Sequence, residues 1–304
     1  MLHQRIATAI VLLAILLPTI FWWPAWTWAV LTLVFLTVAA REWGDLLAAR
    51  QRPAAGAGER AAVPPASRAG LLAALGVGAI GVALLAWRQL AGWPPAFGTT
   101  LSALAVLWWC TAAPLRLAGR GAGRTRPDRH NPGLGGPLSA GLLLLACWVA
   151  LIELHARGPL VLLAAMAIVW IADIAAYFVG RALGRRKLAP TISPGKSWEG
   201  ALGGALAVVL AGALVWLLAA DGGRLAATLP AQLFEHATPW LAVPVLLALT
   251  ALSIVGDLHE SLLKRAAGVK DSGRLLPGHG GVLDRIDALL PVMPSAWLLH
   301  RLIG

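Results

Sequence analysis

Residues 138–180, LSAGLLLLACWVALIELHARGPLVLLAAMAIVWIADIAAYFVG, decide the fold. The stretch contains two apolar runs, 138–155 and 159–180, which are separated by a short polar break at Arg157 and Gly158. A helix needs about 20 mostly apolar residues to cross the hydrocarbon core of a bilayer. Each run meets that length, so the stretch predicts two transmembrane helices that are joined by a tight turn.

The same pattern recurs along the rest of the 304-residue chain. Further apolar runs bring the predicted total to about nine spans, the others being 6–23, 25–40, 70–87, 99–115, 201–220, 240–256 and 288–303. The chain is 59% hydrophobic and 13% charged, whereas soluble domains are about half apolar and a quarter charged. We therefore predict an all-α fold, a polytopic transmembrane helical bundle, and exclude an ordinary soluble domain.

Basic residues predict the orientation of this bundle. The segments 41–69, 116–137, 181–200 and 257–287 each hold five of the 25 Lys and Arg residues, and 1–5 holds one. The opposite helix ends hold Arg88, Arg157, Arg224 and Arg301. Because cytoplasmic loops carry an excess of Lys and Arg, the N-terminus is predicted to be cytoplasmic and the C-terminus outside. The net charge of +11 is then a topology signal that also attracts anionic lipid, and it does not indicate nucleic-acid binding.

The polar loops divide the chain into two predicted regions. Residues 1–155 form an N-terminal transmembrane region of about five helices, with basic loops that read as linkers at 41–69 and 116–137. Residues 156–304 form the predicted catalytic transmembrane region. Its cytoplasmic loops are denser in functional residue types, and they are 181–200 and 257–287.

Residues 256–287, GDLHESLLKRAAGVKDSGRLLPGHGGVLDRID, mix acids and bases most densely. Five of the 14 acids lie here: Asp257, Glu260, Asp271, Asp284 and Asp287. The part from 257 to 265 is predicted to be helical, whereas 277–281 cannot continue a helix and its glycines could leave N–H groups free for an anion. Carboxylates held together need a cation, and Mg²⁺ suits oxygen ligands beside phosphates. A solvated loop with ordinary salt bridges is the alternative.

Residues 170–200, WIADIAAYFVGRALGRRKLAPTISPGKSWEG, form the second segment of interest. Asp173 lies inside an apolar run, and because a carboxylate is costly in a bilayer, a functional role is the first hypothesis. A hydrogen bond in helix packing is the alternative. Residues 190–197 are similar to an anion-binding loop with hydroxyls and Lys196, although the glycine spacing of a P-loop is absent. Glu199 is predicted near the start of the next helix.

Together, the two segments resemble the phosphatidate cytidylyltransferase family, also called CDP-diacylglycerol synthases. The C-terminal signature of that family is matched by Ser261, Lys264, Arg265, Lys270, Asp271, Pro277, His279, Gly280, Gly281, Asp284, Arg285 and Asp287. Its upstream patterns are matched by Asp173, Ala176, Tyr177, Gly180, Arg181, Ile192, Ser193, Pro194, Lys196, Ser197, Glu199 and Gly200. The chain departs from the pattern at Gly195, Ser197 and Ala288, where Lys, Thr and Ser are frequent. The specific match covers roughly residues 170–290.

The resemblance implies transfer of a cytidylyl group from CTP to phosphatidic acid, which yields CDP-diacylglycerol and pyrophosphate for phospholipid biosynthesis. It implies a metal site for Mg²⁺, with K⁺ as an optional second cation, at Asp257, Asp284 and Asp287. It implies that cationic side chains neutralise the triphosphate or the lipid headgroup: Lys196, Lys264, Arg265, Lys270 and Arg285. Ser193, Ser261 and the weaker candidate Asp173 complete the substrate-binding set. His279 would contact phosphate or assist a proton transfer.

The implied partners are CTP, phosphatidic acid and membrane lipids, without nucleic acid, and a homodimer is compatible with the sequence. The implied location is a bacterial inner membrane, with the active site on the cytoplasmic face. Two alternatives stay open. A cytidylyltransferase for another lipid phosphate would carry the same headgroup motifs. A transporter would also fit Asp173 within a span, although transporters place their determinants near the midplane, whereas these charges gather at one membrane face.

Overall fold

The computed structural model describes residues 2–51, 63–121, 135–236, 238–276 and 278–303. The helices are α1 Leu2–Phe21, α2 Ala25–Arg50, α3 Arg68–Ala91, α4 Phe97–Gly121, α5 Pro137–Arg157, α6 Pro159–Leu183, α7 Trp198–Leu218, α8 Leu229–His236, α9 Thr238–Ala267, α10 Leu283–Ile286 and α11 Leu289–Ile303. The strands are β1 Lys187–Ala189 and β2 Ser193–Ser197. Large parts of the predicted linkers, at 52–62 and 122–134, and Pro277 of the signature lie outside the described residues.

The protein is a polytopic helical membrane protein. Every apolar run predicted from the sequence falls largely within one helix. Within the described ranges, seven helices are long and apolar enough to cross a membrane: Arg68–Ala91, Phe97–Ala118, Pro137–Arg157, Pro159–Leu183, Trp198–Leu218, Trp240–Ala267 and Leu283–Ile303. The predicted count of about nine spans and the orientation of the termini stay predictions.

The predicted helical bundle is confirmed, and the structure adds one element that the sequence did not predict: β1 and β2 pair as an antiparallel hairpin, with Lys187 opposite Ser197 and Ala189 opposite Ser193. Proline in this segment disfavours a helix, and the hairpin packs through Leu188, Ala189 and Ile192 on Leu258 and Leu262 of α9. The hairpin ends directly at α7. There, the Ser197 hydroxyl accepts the Gly200 N–H at 3.2 Å and caps the helix.

Helix α5 lies at the centre of the bundle and packs against α2, α4, α6 and α11. Two tryptophans connect it to α2: the Trp28 indole N–H donates to Leu151 O at 3.3 Å, and the Trp148 N–H donates to Ala29 O at 3.0 Å. These bonds satisfy polar groups that would otherwise be costly in an apolar environment. One hydrophobic core runs from Ile20 to Trp297, so the predicted boundary between residues 155 and 156 does not coincide with a gap in packing.

The charged residues gather at two opposite ends of the bundle. At one end Arg88 pairs with Glu153 at 2.6 Å, and the guanidinium groups of Arg157 and Arg301 lie over the Trp297 ring. These are the helix ends that the sequence predicts on the outer side. The functional segments meet at the other end, as described below.

Helices α6 and α7 pack backbone against backbone. A Cβ atom at Gly200 would lie 2.7 Å from Ala176 O, and one at Gly204 would lie 2.7 Å from Ala172 O. Small residues allow such close approach between membrane helices. The contact holds α6, which carries Asp173, directly beside the hairpin and α7.

Gly204→Ala is therefore expected to lower the stability of the protein in detergent by about 1–3 kcal/mol, because the methyl group must push the two helices apart. Gly76→Ala is the matched control, since Gly76 is also inside a helix and has open space at the Cβ position. Thermal unfolding of both variants, compared with the unsubstituted protein, measures the difference. Equal stability of the two variants would contradict the proposed contact.

Candidate functional site

A cavity of about 420 Å³ lies between α6, the hairpin, α7 and α9. Most of its polar lining comes from the two segments singled out in the sequence, namely Asp173, Tyr177, Arg181, Ser193, Lys196, Ser197 and Asp257, and Thr250 of α9 adds a hydroxyl. Its apolar lining comes from small or short side chains along the helices, among them Ala172, Ala176 and Ile254. The cavity therefore has a charged end beside the hairpin and an apolar part between the helices.

The ion pair between Lys196 and Asp257 joins the two segments at this cavity. Lys196 Nζ lies 2.5 Å from Asp257 Oδ2, and the Ser261 hydroxyl donates to Asp257 Oδ1 at 3.3 Å. Asp173 lies within electrostatic range of Asp257, Lys196 and Arg285. The two segments, distant in sequence, thus meet beside one cavity.

Asp287 belongs to the same neighbourhood. It lies within electrostatic range of Asp257, Lys196 and Lys264, and its Oδ1 accepts the N–H of Ala288 at 2.8 Å. Two predicted metal ligands, Asp257 and Asp287, are therefore close to each other and to cationic side chains.

Asp284, the third predicted metal ligand, lies in a buried ion cluster. Lys264 pairs with Glu260 and places Nζ 2.6 Å from Asp284 Oδ1, and these three side chains are only 13%, 3% and 6% exposed. The other oxygen, Oδ2, accepts the Ser272 N–H at 3.0 Å and the Gly281 N–H at 2.8 Å, and it lies 3.0 Å from the Ser272 hydroxyl. Both oxygens of Asp284 are engaged by donors of the protein itself.

The remaining predicted residues lie around these two groups. Arg265 donates from Nε to Ile192 O at 3.2 Å and from Nη1 to Val269 O at 3.3 Å, so it ties α9 to the hairpin. Lys270 and Arg285 are exposed. His279 is half-buried, and its Nδ1 is a buried atom without a hydrogen-bond partner in the described part of the chain.

The turn at 278–281 differs from the expected anion-binding loop. The His279 and Gly280 N–H groups donate to Leu276 O at 2.8 and 3.1 Å, and the Gly281 N–H donates to Asp284. The acceptors of these N–H groups are a carbonyl and a carboxylate of the protein itself, so the N–H groups are not free for an anion. The glycines let the loop close tightly around those acceptors.

Sequence reasoning missed three polar residues of this region, Glu260, Glu42 and Ser272. Glu260 is recognisable in retrospect, because it precedes Lys264 by four residues and thus faces it on a helix. Glu42 gives no such signal. Its partners are Ser272, Val282 and Leu283, which lie far away in the sequence and close in the fold.

Among the described residues, no three His, Cys, Asp or Glu side chains form a group that could hold a metal ion. The oxygen donors of Asp257 and Asp287 nevertheless fit Mg²⁺, which is commonly held by one or two carboxylates together with substrate oxygens. The Lys196 ammonium already neutralises Asp257 at Oδ2, so a bound Mg²⁺ would share this carboxylate with Lys196 or displace it. The metal assignment remains a prediction.

Comparison with known proteins extends the similarity beyond the motifs. The Cytidylyltransferase family matches residues 3–303 of the chain. The chain belongs to this family. A protein from Pseudomonas aeruginosa named phosphatidate cytidylyltransferase is 39% identical over 302 residues, which covers 97% of this chain and 95% of the relative. The resemblance seen in residues 170–290 is confirmed and includes the N-terminal half.

Shorter and more similar matches come from two other bacteria. Phosphatidate cytidylyltransferase from Brucella suis is 51% identical over 140 residues, 45% of this chain and 46% of the relative. The protein of that name from Haemophilus influenzae is 47% identical over 138 residues, 45% of this chain and 44% of the relative.

Proposed function

We propose that the chain is a phosphatidate cytidylyltransferase, which converts CTP and phosphatidic acid to CDP-diacylglycerol and pyrophosphate. The observation that carries this proposal is the Lys196–Asp257 pair, which joins both family motifs at one cavity in a chain related over its whole length to enzymes of that name. An oxygen of the lipid phosphate attacks the α-phosphorus of CTP. The bond from that phosphorus to the bridging oxygen breaks, and the oxygen leaves with pyrophosphate.

The residues at the charged end of the cavity suit this reaction. Transfer between phosphates depends mainly on positioning and on stabilising charge, without a covalent intermediate on the protein. Lys196 can turn from Asp257 to a phosphate oxygen, because its ammonium is half-buried at the cavity surface. Arg181, which also lines the cavity, supplies further positive charge toward the solvent.

The apolar part of the cavity suits the lipid. Small residues line it along α6 and α7, where Ala172, Ala176 and Gly204 leave room between the helices. Phosphatidic acid would place its headgroup near Lys196 and its acyl chains between the helices, since only the headgroup needs a polar environment. Nothing in this lining selects one type of tail, so a cytidylyltransferase for another lipid phosphate is the second candidate.

Mg²⁺ would be held by Asp257 and Asp287, and it would supply charge neutralisation at the phosphate oxygens when bound. Asp284 would join these ligands only if Lys264 released its Oδ1. The cytoplasm would supply CTP, which agrees with the predicted cytoplasmic position of the segments 181–200 and 257–287. The bacterial relatives support a bacterial inner membrane as the location.

One assay tests the proposal against its alternatives. Purified protein in detergent receives cytidine-labelled CTP, Mg²⁺ and either phosphatidic acid or a lipid phosphate with isoprenoid ether chains. Label in a lipid product formed from phosphatidic acid supports the proposal, and omission of Mg²⁺ with added chelator should abolish that label. Label only on the ether lipid supports the second candidate. No lipid label, together with solute flux in vesicles, would support a transporter and overturn the proposal.

A further inference from the structure

We propose that Glu42, in the N-terminal half of the chain, is a positioning residue for the transfer reaction. The carboxylate of Glu42 holds Ser272, Val282 and Leu283, which belong to the loop ahead of α10, and these residues in turn hold Asp284 and the start of the segment that carries Asp287. The inference rests on the proposed function for its effect on catalysis. The structural part of it stands on contacts alone.

Glu42 lies in the C-terminal half of α2 and is only 6% exposed. Its Oε1 accepts the Val282 N–H at 3.1 Å, and its Oε2 accepts the Leu283 N–H at 2.8 Å and the Ser272 hydroxyl at 3.0 Å. A buried carboxylate is costly unless it is well hydrogen-bonded. The hydrogen bonds that compensate the burial of Glu42 come from this one loop. The carboxylate therefore stabilises the loop conformation, and the loop stabilises the buried carboxylate.

Ser272 connects Glu42 to Asp284. Its hydroxyl lies 3.0 Å from Glu42 Oε2 and 3.0 Å from Asp284 Oδ2, and because it carries a single proton it donates to one of the two carboxylates at a time. The two carboxylates repel each other, and the arrangement is stable because backbone N–H groups and Lys264 compensate both. A change in the charge of Glu42 therefore changes the hydrogen bonding and the electrostatic environment of Asp284.

The loop is shaped around the Glu42 carboxylate. A Cβ atom at Gly273 would lie 2.1 Å from Glu42 Oε1, and one at Gly281 would lie 2.6 Å from Oε2. At Gly281 the same Cβ would also lie 2.1 Å from Ser272 Oγ, so a side chain at either glycine would disturb the contact between Glu42 and the loop. This accounts for Gly281 of the signature without a direct contact to substrate.

Loss of this contact should lower the rate rather than weaken substrate binding. Glu42 does not line the cavity, but Asp284 lies three residues before Asp287, so a shift of the loop displaces both acids. A misplacement of about 1 Å at reacting groups can reduce the rate about 10²-fold. We expect Glu42→Gln to reduce kcat by about 10–100-fold, with KM for CTP and for lipid within about twofold of the original.

Asp45 provides the matched control on the same helix. It is also buried, at 7% exposure, and it also accepts a backbone N–H and a hydroxyl, both from Ser67, at 2.7 and 2.6 Å. Its partner lies at the start of α3, away from the loop. Asp45→Asn should lower the melting temperature and leave kcat within about threefold of the original.

The experiment uses the full chain in detergent, with steady-state kinetics, thermal unfolding and amide hydrogen exchange on each variant. Glu42→Gln should accelerate exchange in peptides that cover 278–288, whereas Asp45→Asn should not. If Glu42→Gln fails to fold, Gly273→Ala sets a methyl group against Glu42 Oε1 and should also lower kcat, with the same local increase in exchange.

The inference would be overturned if the unsubstituted protein is active and Glu42→Gln has the same kcat. Equal losses of kcat in the Glu42 and Asp45 variants would overturn it too, since general stability would then explain both. An original protein that transfers no cytidylyl group would refute the proposed function instead. In that case the exchange comparison still decides whether Glu42 fixes the loop.

Discussion

The single substitutions Asp257→Asn and Asp287→Asn should each reduce kcat for CDP-diacylglycerol formation by at least about 10²-fold. This is the scale of loss when one group that stabilises transition-state charge is removed. Asn keeps the shape of the side chain and removes its charge. Asp257 would lose its pairing with Lys196, and the proposed metal site would lose an anionic ligand. The measurement is the initial rate of lipid-soluble cytidine label, normalised to folded protein in the membrane fraction.

Asp221→Asn is the control for this pair of variants. Asp221 is an exposed acid that follows α7, and its removal alters net charge in the same way. It should leave kcat and membrane insertion unchanged. Near-normal turnover in both the Asp257 and Asp287 variants would contradict the assignment of these carboxylates to the site.

Lys264→Met should cause the largest loss of stability, about 3–5 kcal/mol, because it leaves Glu260 and Asp284 buried without their cation. The relevant measurement is the midpoint of unfolding in detergent as denaturant is increased. Activity should be lost as well, since Asp284 would no longer be fixed. A change below about 1 kcal/mol would show that the cluster is hydrated rather than buried.

The double variant Glu260→Gln with Lys264→Met separates charge compensation from packing. Removing one of the two uncompensated carboxylates should restore part of the lost stability, which gives a coupling energy between the two sites of about 0.5–3 kcal/mol. Activity should not return, because Asp284 still lacks its cation. Simple addition of the two single effects would contradict a direct interaction.

The apolar runs predicted the helices well, because a bilayer-spanning helix needs only length and hydrophobicity. The segment from 257 to 265 is confirmed as helical, as part of α9, and Glu199 does lie at the start of α7. Helix α8 was not predicted, since eight residues with a modest apolar content do not reach the length of a span. The hairpin was not predicted because Pro190, Pro194 and Gly195 are typical of a loop.

The candidate site could be predicted only where its residues belong to a local pattern. Lys196, Asp257 and Asp287 stand in motifs, and the structure brings them into one neighbourhood. Arg265 shows the limit of such reasoning. Its positive charge suggested a phosphate contact, but in the structure its guanidinium donates to backbone carbonyls. Glu42 shows a second limit, because a carboxylate at a helix end looks like a solvated charge until the loop that buries it is known.

The most direct test of the account is the position of phosphorus label after a single reaction. The protein is incubated with phosphatidic acid, Mg²⁺ and CTP labelled at either the α-phosphorus or the γ-phosphorus. Attack on the α-phosphorus at the Lys196–Asp257 site predicts that the α label enters the lipid, that the γ label leaves as soluble pyrophosphate, and that Asp257→Asn does neither. Entry of the γ label into lipid, or undiminished transfer by Asp257→Asn, would contradict the account.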